Sequence, residues 1–334
     1  MAPMIPLSVL DLAMVPDGAT SHEAFAQTTK VAQAAEALGY TRIWVAEHHN
    51  MSTVASTVPA VLMAHLAAST STIKVGSGGV MLPNHAPLAI AEQFAMLEAL
   101  YPGRVDMGVG RAPGTDGATA MALRGARNDP HAEDFPRNLI DVMGLLGDVR
   151  HAEGLWDRFR ATPMATSSPM VIPLGSSDFS AQLAGVLGLP FGFAHHFDMG
   201  GTVHAVETYR ENFRPSPVLD EPYTIVTAST IAADTTDEAV RLSGPALLRR
   251  YGLRTGQLVP MLTPEQAVEH PDFEAAKAMR VSSLVGTAAE VTSGMDELAE
   301  RTGAAELMLY TSTYGLDERL ASLSLIANEW GLSA

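Results

Sequence analysis

The stretch WVAEHHN, residues 44–50, sets an apolar run directly against Glu47, His48 and His49. A strand that buries Trp44 and Val45 has no packing reason to end on an acid and two imidazoles. Such groups can move protons near neutral pH or ligate a metal. A second pair, His195-His196, closes another apolar run. Ser176, Ser177 and Ser180 open a helical stretch straight after a strand-like segment. There, backbone N–H groups and the helix dipole suit an anion such as phosphate. Arg111 ends another strand-like run and can pair with the same dianion. Gly78 and Gly79 leave out two side chains where a flat ring could lie against the backbone. Together these residues suit a planar cofactor bearing a phosphate, with His48 and His195 at its reactive edge. Each also has a plainer reading: core histidines, capping serines, a bulge or tight packing at the glycines, and a surface arginine.

These groups can meet only if the elements between them bring strand ends together. Short β-rich runs alternate with helical stretches. We expect strands at 5–13, 42–46, 73–82, 104–110, 170–175, 191–197, 223–233 and 306–314. The clearest helix runs from Thr20 to Leu38, where Thr20 and Glu23 make a capping box and Gly39 ends the helix. The strands are near-continuous apolar runs, as expected of parallel strands covered on both faces. Eight βα units predict an α/β fold, a (β/α)8 TIM barrel over residues 1–334 as one domain. Two long excursions interrupt it, at 111–133 after strand four and at roughly 244–285 after strand seven. In such barrels the reactive groups gather at the C-terminal ends of the strands. The residues above end strands two to six. Thr311, Ser312, Thr313 and Tyr314 end strand eight.

Composition narrows the functions available. The 334 residues carry a net charge of −16 and no cysteine. The acids are scattered and no basic stripe exists, which argues against nucleic-acid or anionic-membrane partners. Disulfides and thiolate metal sites are excluded. Neither a signal peptide nor a membrane-spanning run is legible, so a cytoplasmic protein is expected. GVGRAPG at 108–114 nearly spells a dinucleotide fingerprint, but proline stands at the third glycine and no helix opens there.

With these residues in view, the chain resembles the bacterial luciferase family of flavin-dependent monooxygenases over nearly its whole length. The family's Glu-His-His after strand two stands here as Glu47-His48-His49, and its V-G-T-A-A-I-V-L-P segment as VGSGGVMLP, 75–83. Its glycine and arginine after strand four match Gly110 and Arg111, and its A-E-S-A-S-T segment matches GSSDFS, 175–180, with Ser176 in place of an acid. LYPGR, VGRAPGTD and AHHF are similar to the single-chain bacterial branch.

The resemblance implies FMN as FMNH2, with O2 as cosubstrate and a flavin C4a-(hydro)peroxide as oxidant. It implies insertion of one oxygen atom into a small organic substrate by hydroxylation or epoxidation, with aromatic-polyketide tailoring as one such role. It assigns the flavin phosphate to Arg111, Ser176, Ser177 and Ser180, and a non-proline cis peptide to Gly78–Gly79. His48 becomes the catalytic base or acid, with Glu47 supporting it. His195 takes the place of the aromatic residue beside the flavin ring. A separate flavin reductase and a homodimer are implied as well. Three other readings stay open at this stage. They are a metal-dependent hydrolase using the four histidines, a flavin-binding protein without oxygen insertion, and a deazaflavin-dependent oxidoreductase.

Overall fold

The computed structural model describes residues 5–124, 134–197, 200–279 and 282–332. The second half of the first expected excursion, 125–133, lies outside the described residues. Among the described residues nine strands form: β1 (Leu7–Asp11), β2 (Arg42–Val45), β3 (Lys74–Met81), β4 (Val105–Gly110), β5 (Met170–Gly175), β6 (Phe191–Phe193), β7 (Thr224–Ala232), β8 (Leu284–Gly286) and β9 (Glu306–Tyr310). β1 to β7 pair in sequence order, all parallel. β9 then pairs with β7 on one side and with β1 on the other, through Val226↔Leu307 and Leu7↔Leu307. The sheet therefore closes on itself as an eight-stranded α/β barrel, and the strands of the ring have no free edge.

Helices cover the outside, and their local signals explain where they begin. The helix Ser21–Ala37 starts on the expected capping box, with the Glu23 N–H donating to Thr20 Oγ1 and the Thr20 N–H donating to Glu23 Oε2. Pro59 and Pro87 open the next two, where a missing N–H is no loss. Leu66, Ile90, Phe94 and Leu97 pack down onto the strands in the main apolar core.

Three departures from the expected elements matter for the site. β8 forms inside the second excursion and extends the far end of β7, through Thr230↔Leu284. The rest of that excursion is ordered mainly by the helix Thr236–Thr255 and two shorter ones, Pro264–Glu269 and Phe273–Lys277. Finally, the sixth strand stops at Phe193, and His195–Phe197 form a 3-10 turn. Alternation of side chains therefore does not govern His195 and His196, which lie about 120° apart around the turn axis.

A buried ionic cluster occupies one end of the barrel interior. Arg42, at the start of β2, donates to Asp106 Oδ2 on β4 at 2.7 Å and to both Glu306 oxygens on β9 at 2.8 and 3.0 Å. Trp44 Nε1 donates to Asp106, and the Tyr223 hydroxyl to Glu306 Oε2 at 2.6 Å. Ser8 on β1 also donates to Glu306. Above this layer, Leu10, Trp44, Ile172, Ile225 and Met308 pack together.

Removing one partner of a buried ion cluster leaves the others charged and unpaired. Arg42→Met is therefore expected to destabilise the fold by about 3–5 kcal/mol, measured by urea unfolding. A loss below about 1 kcal/mol would show that the cluster does not hold the barrel together.

Candidate functional site

The C-terminal ends of β2 to β6 are neighbours through the parallel ladder, so residues far apart in sequence share one rim. Glu47, just past β2, is fully buried and fixed from several sides. It accepts from His49 Nε2 at 2.9 Å, His85 Nε2 at 2.8 Å and the Met81 N–H at 3.0 Å. Burial opposes its ionisation. The hydrogen bonds from His85, His49 and Met81 outweigh burial and hold its carboxyl below the usual carboxylate range. Asn84 Nδ2 donates to Pro113 O at 2.9 Å, and Thr115 Oγ1 to His49 O at 2.9 Å. Glu47 thus anchors a network across the ends of β2, β3 and β4, and its oxygens point into that network.

His48 points the other way, into a cavity of about 360 Å³. Its Nδ1 is buried without a hydrogen-bond partner among the described residues. Burial pushes its pKa from 6.5 down to about 4, the Arg249 guanidinium lowers it further, and Glu47 opposes the shift. His196 lines the same cavity, again with a buried Nδ1 lacking a partner. Burial pushes it down to about 3, opposed by a hydrogen bond to the Thr227 backbone. Its ring lies 4.0 Å from Phe197 and 5.6 Å from Tyr310, centroid to centroid. Ser312 Oγ, past β9, is a third buried polar atom with no partner on this cavity.

His195 is placed differently. Its Nδ1 is 2.6 Å from Thr202 Oγ1, and it lines a separate open cleft. Of the second histidine pair, His196 rather than His195 shares a cavity with His48.

The glycines of β3 meet the barrel wall. The peptide between Gly78 and Gly79 is cis. The ladder to β4 slips between Ser77 and Val80. A Cβ at Gly79 would come within 2.8 Å of Gly108 O, and one at Gly78 within 2.9 Å of Leu10 Cδ1. The strand therefore approaches its neighbours too closely for any side chain here, which is the plainer reading of these glycines.

Arg111 follows β4 and is exposed. Its guanidinium carbon sits 4.4 Å from the centre of the Phe179 ring, which aims the cation across the start of the helix Asp178–Leu187. Ser177 is the N-cap of that helix, yet its hydroxyl makes no capping hydrogen bond. Ser176 is exposed beside it. Ser180 is buried one turn on, against Gly175, where a Cβ would lie 2.8 Å from Ser180 Oγ. An arginine, uncommitted hydroxyls and open helix N–H groups thus converge after β4 and β5. Among the described residues, no group of three or more His, Cys, Asp or Glu side chains is arranged to hold a metal ion. Nor is any described helix long and apolar enough to cross a membrane.

Sequence reasoning missed several residues here. His85 and Asn84 sit in LPNHAP, where a polar pair enclosed between Pro83 and Pro87 was the available signal. Arg249 and Arg250 line the cavity from the helix Thr236–Thr255. Their signal was a pair of arginines inside LLRRYGL, set among leucines rather than on a polar face.

Comparison with known proteins identifies the family. Residues 5–306 match the family model described as luciferase-like monooxygenase. The Bacillus subtilis protein YvbT is 45% identical over 331 residues, covering 97% of this chain and 96% of that protein. A luciferase-like monooxygenase of Escherichia coli K12 is 42% identical over 325 residues, covering 96% of each. The crystal structure of apo-MsnO8 superposes with a TM-score of 0.90 at 33% identity, covering 98% of this chain and 99% of that one. The chain belongs to the luciferase-like monooxygenase family.

Proposed function

We propose that this protein is an FMNH2- and O2-dependent monooxygenase that inserts one oxygen atom into a small organic substrate. The observation that supports it is a single rim with two halves. One half is an anion cradle at Arg111 and the Asp178–Leu187 helix start. The other is a cavity faced by the unpartnered His48 Nδ1, His196 Nδ1 and Ser312 Oγ. A molecule with a phosphate at one end and a polar ring at the other would use both halves.

In this reading Arg111, Ser176, Ser177 and Ser180 would hold the FMN phosphate, and the Gly78–Gly79 backbone would meet the ring. Bound reduced flavin supplies the two electrons with which O2 delivers one oxygen atom to the substrate and the other to water. The protein's part is orientation, proton movement and exclusion of water. Leu12, Val54 and Ile231 make the cavity wall apolar and keep water from the reacting groups. His48, neutral at pH 7 because burial depresses its pKa, accepts a proton at Nδ1 rather than donating one first. Glu47 does not reach the cavity. It is a positioning residue that fixes the backbone on which His48 stands. A separate reductase supplies the reduced flavin, and the working unit is a homodimer.

Three outcomes are expected. Arg111→Ala weakens FMN binding by about tenfold or more, as for a lost charge-assisted contact, and leaves riboflavin binding unchanged. Equal losses for both would remove the phosphate from Arg111. With FMNH2, 18O2 and a panel of organic acceptors, labelled oxygen enters a product, and His48→Ala lowers that rate by about 10²–10⁴-fold with FMN binding intact. Turnover with reduced deazaflavin and none with FMNH2 would reassign the cofactor.

The third outcome concerns pH. The folded protein refuses at His48 a proton that the unfolded chain accepts at its ordinary pKa of 6.5. His48 therefore weakens the fold as pH falls from 6.5 towards about 4, and costs nothing above that window. In an NMR titration the His48 ring is expected to stay neutral until about pH 4. A midpoint near 6.5 would contradict its burial.

A further inference from the structure

The cavity beside His48 carries positive charge on its wall. No aspartate or glutamate lines it among the described residues, although the chain carries a net charge of −16. Its ionisable groups are His48, His196, Tyr310, Arg249 and Arg250.

Arg249 is the informative one. Three arginines are buried among the described residues: Arg42, Arg249 and Arg319, at 6%, 7% and 3% exposure. Arg42 is paired with Asp106 and Glu306, and Arg319 with Asp11. Arg249 has no carboxylate within 4 Å among the described residues, and its one hydrogen bond runs from a terminal nitrogen to Met14 Sδ at 3.0 Å. A thioether is a weak acceptor. The other donors of this guanidinium are not sealed off, so an anion in the cavity can reach them. Arg250, next in the chain and half-buried, brings a second positive charge to the same wall. The aliphatic lining around them suits the body of an organic molecule rather than a free ion.

We propose that Arg249, assisted by Arg250, receives a carboxylate on the organic substrate, so that the enzyme selects organic acids over neutral compounds of the same shape. A guanidinium fork matches a planar carboxylate by two parallel hydrogen bonds. The apolar wall then holds the remaining body of the acid beside His48. That the acid is a substrate rests on the protein being an oxygenase. The selection of an acid rests only on the cavity.

The test uses the full-length protein and two probes of nearly equal shape, 2-naphthoate and 2-naphthamide, titrated calorimetrically at pH 7 with and without saturating FMN. Naphthoate is expected to bind at least about tenfold more tightly than naphthamide. Arg249→Gln is expected to abolish that preference while naphthamide binding stays within about threefold. Should that variant not fold, Arg250→Gln decides: the preference is expected to fall by about threefold or more. Equal binding of the two probes, no binding of either at millimolar concentration, or an unchanged preference in the deciding variant would overturn the proposal. So would complete displacement of naphthoate by FMN, which would give these arginines to the cofactor's own anionic groups. The oxygenase reading fails separately. If naphthoate binds in an Arg249-dependent way and FMN does not bind, only the cofactor assignment is lost.

Discussion

The architecture depends on one buried cation. Arg42 bonds Asp106 and Glu306, and through their oxygens gathers Ser8, Trp44 and Tyr223. These residues come from β1, β2, β4, β9 and the residue just before β7. Two carboxylates in so dry a place cannot both stay charged without a cation between them. A guanidinium can serve both because its donors fan out in a fixed plane. The cluster therefore sets which strands face each other across the barrel and helps close β9 onto β1. Everything at the opposite end follows from that closure, because only a closed ring places the ends of β2 to β6 beside the end of β9.

Another buried carboxylate organises the C-terminal rim. Glu47 holds His49, His85 and the Met81 amide, and so locks the segments after β2 and β3 together. With Glu47 and His49 drawn to one side, His48 between them is turned to the other, into the cavity. The acid and the imidazole that stood together in the sequence thus divide the work. One builds the rim, and the other faces the reactive space. Opposite them, Arg111 lies against Phe179 beside a helix start whose Ser177 hydroxyl makes no capping bond. The chain carries a large negative charge overall, yet keeps cations on both halves of this rim.

Much of this was legible in the residues. Thr20 and Glu23 marked a helix start that forms as expected. The apolar runs marked the parallel strands, and the polar groups at their ends marked the rim. Other features were not legible, for physical reasons. Arg42, Asp106 and Glu306 sit at strand starts, where a charge reads as a solvated boundary. Only barrel closure makes them neighbours. His195 and His196 continue an apolar run, and no local signal tells a strand from the 3-10 turn that redirects them. Arg249 belongs to a helix of mixed polarity with Pro245 inside it. Its sequence pattern assigns no clear inner face, and contact with Met14 at the far end of the chain decides which way the side chain turns.

The central claim is that one flavin spans the rim from the cradle after β4 and β5 to the cavity of His48. A crystal structure of the protein with bound FMN tests this directly. The phosphate is expected against Arg111 and the first turn of the Asp178–Leu187 helix, with the ring edge beside His48 and the Arg249 pocket left open to a second molecule. A phosphate seated instead on Arg249 and Arg250, with Arg111 untouched, would contradict it.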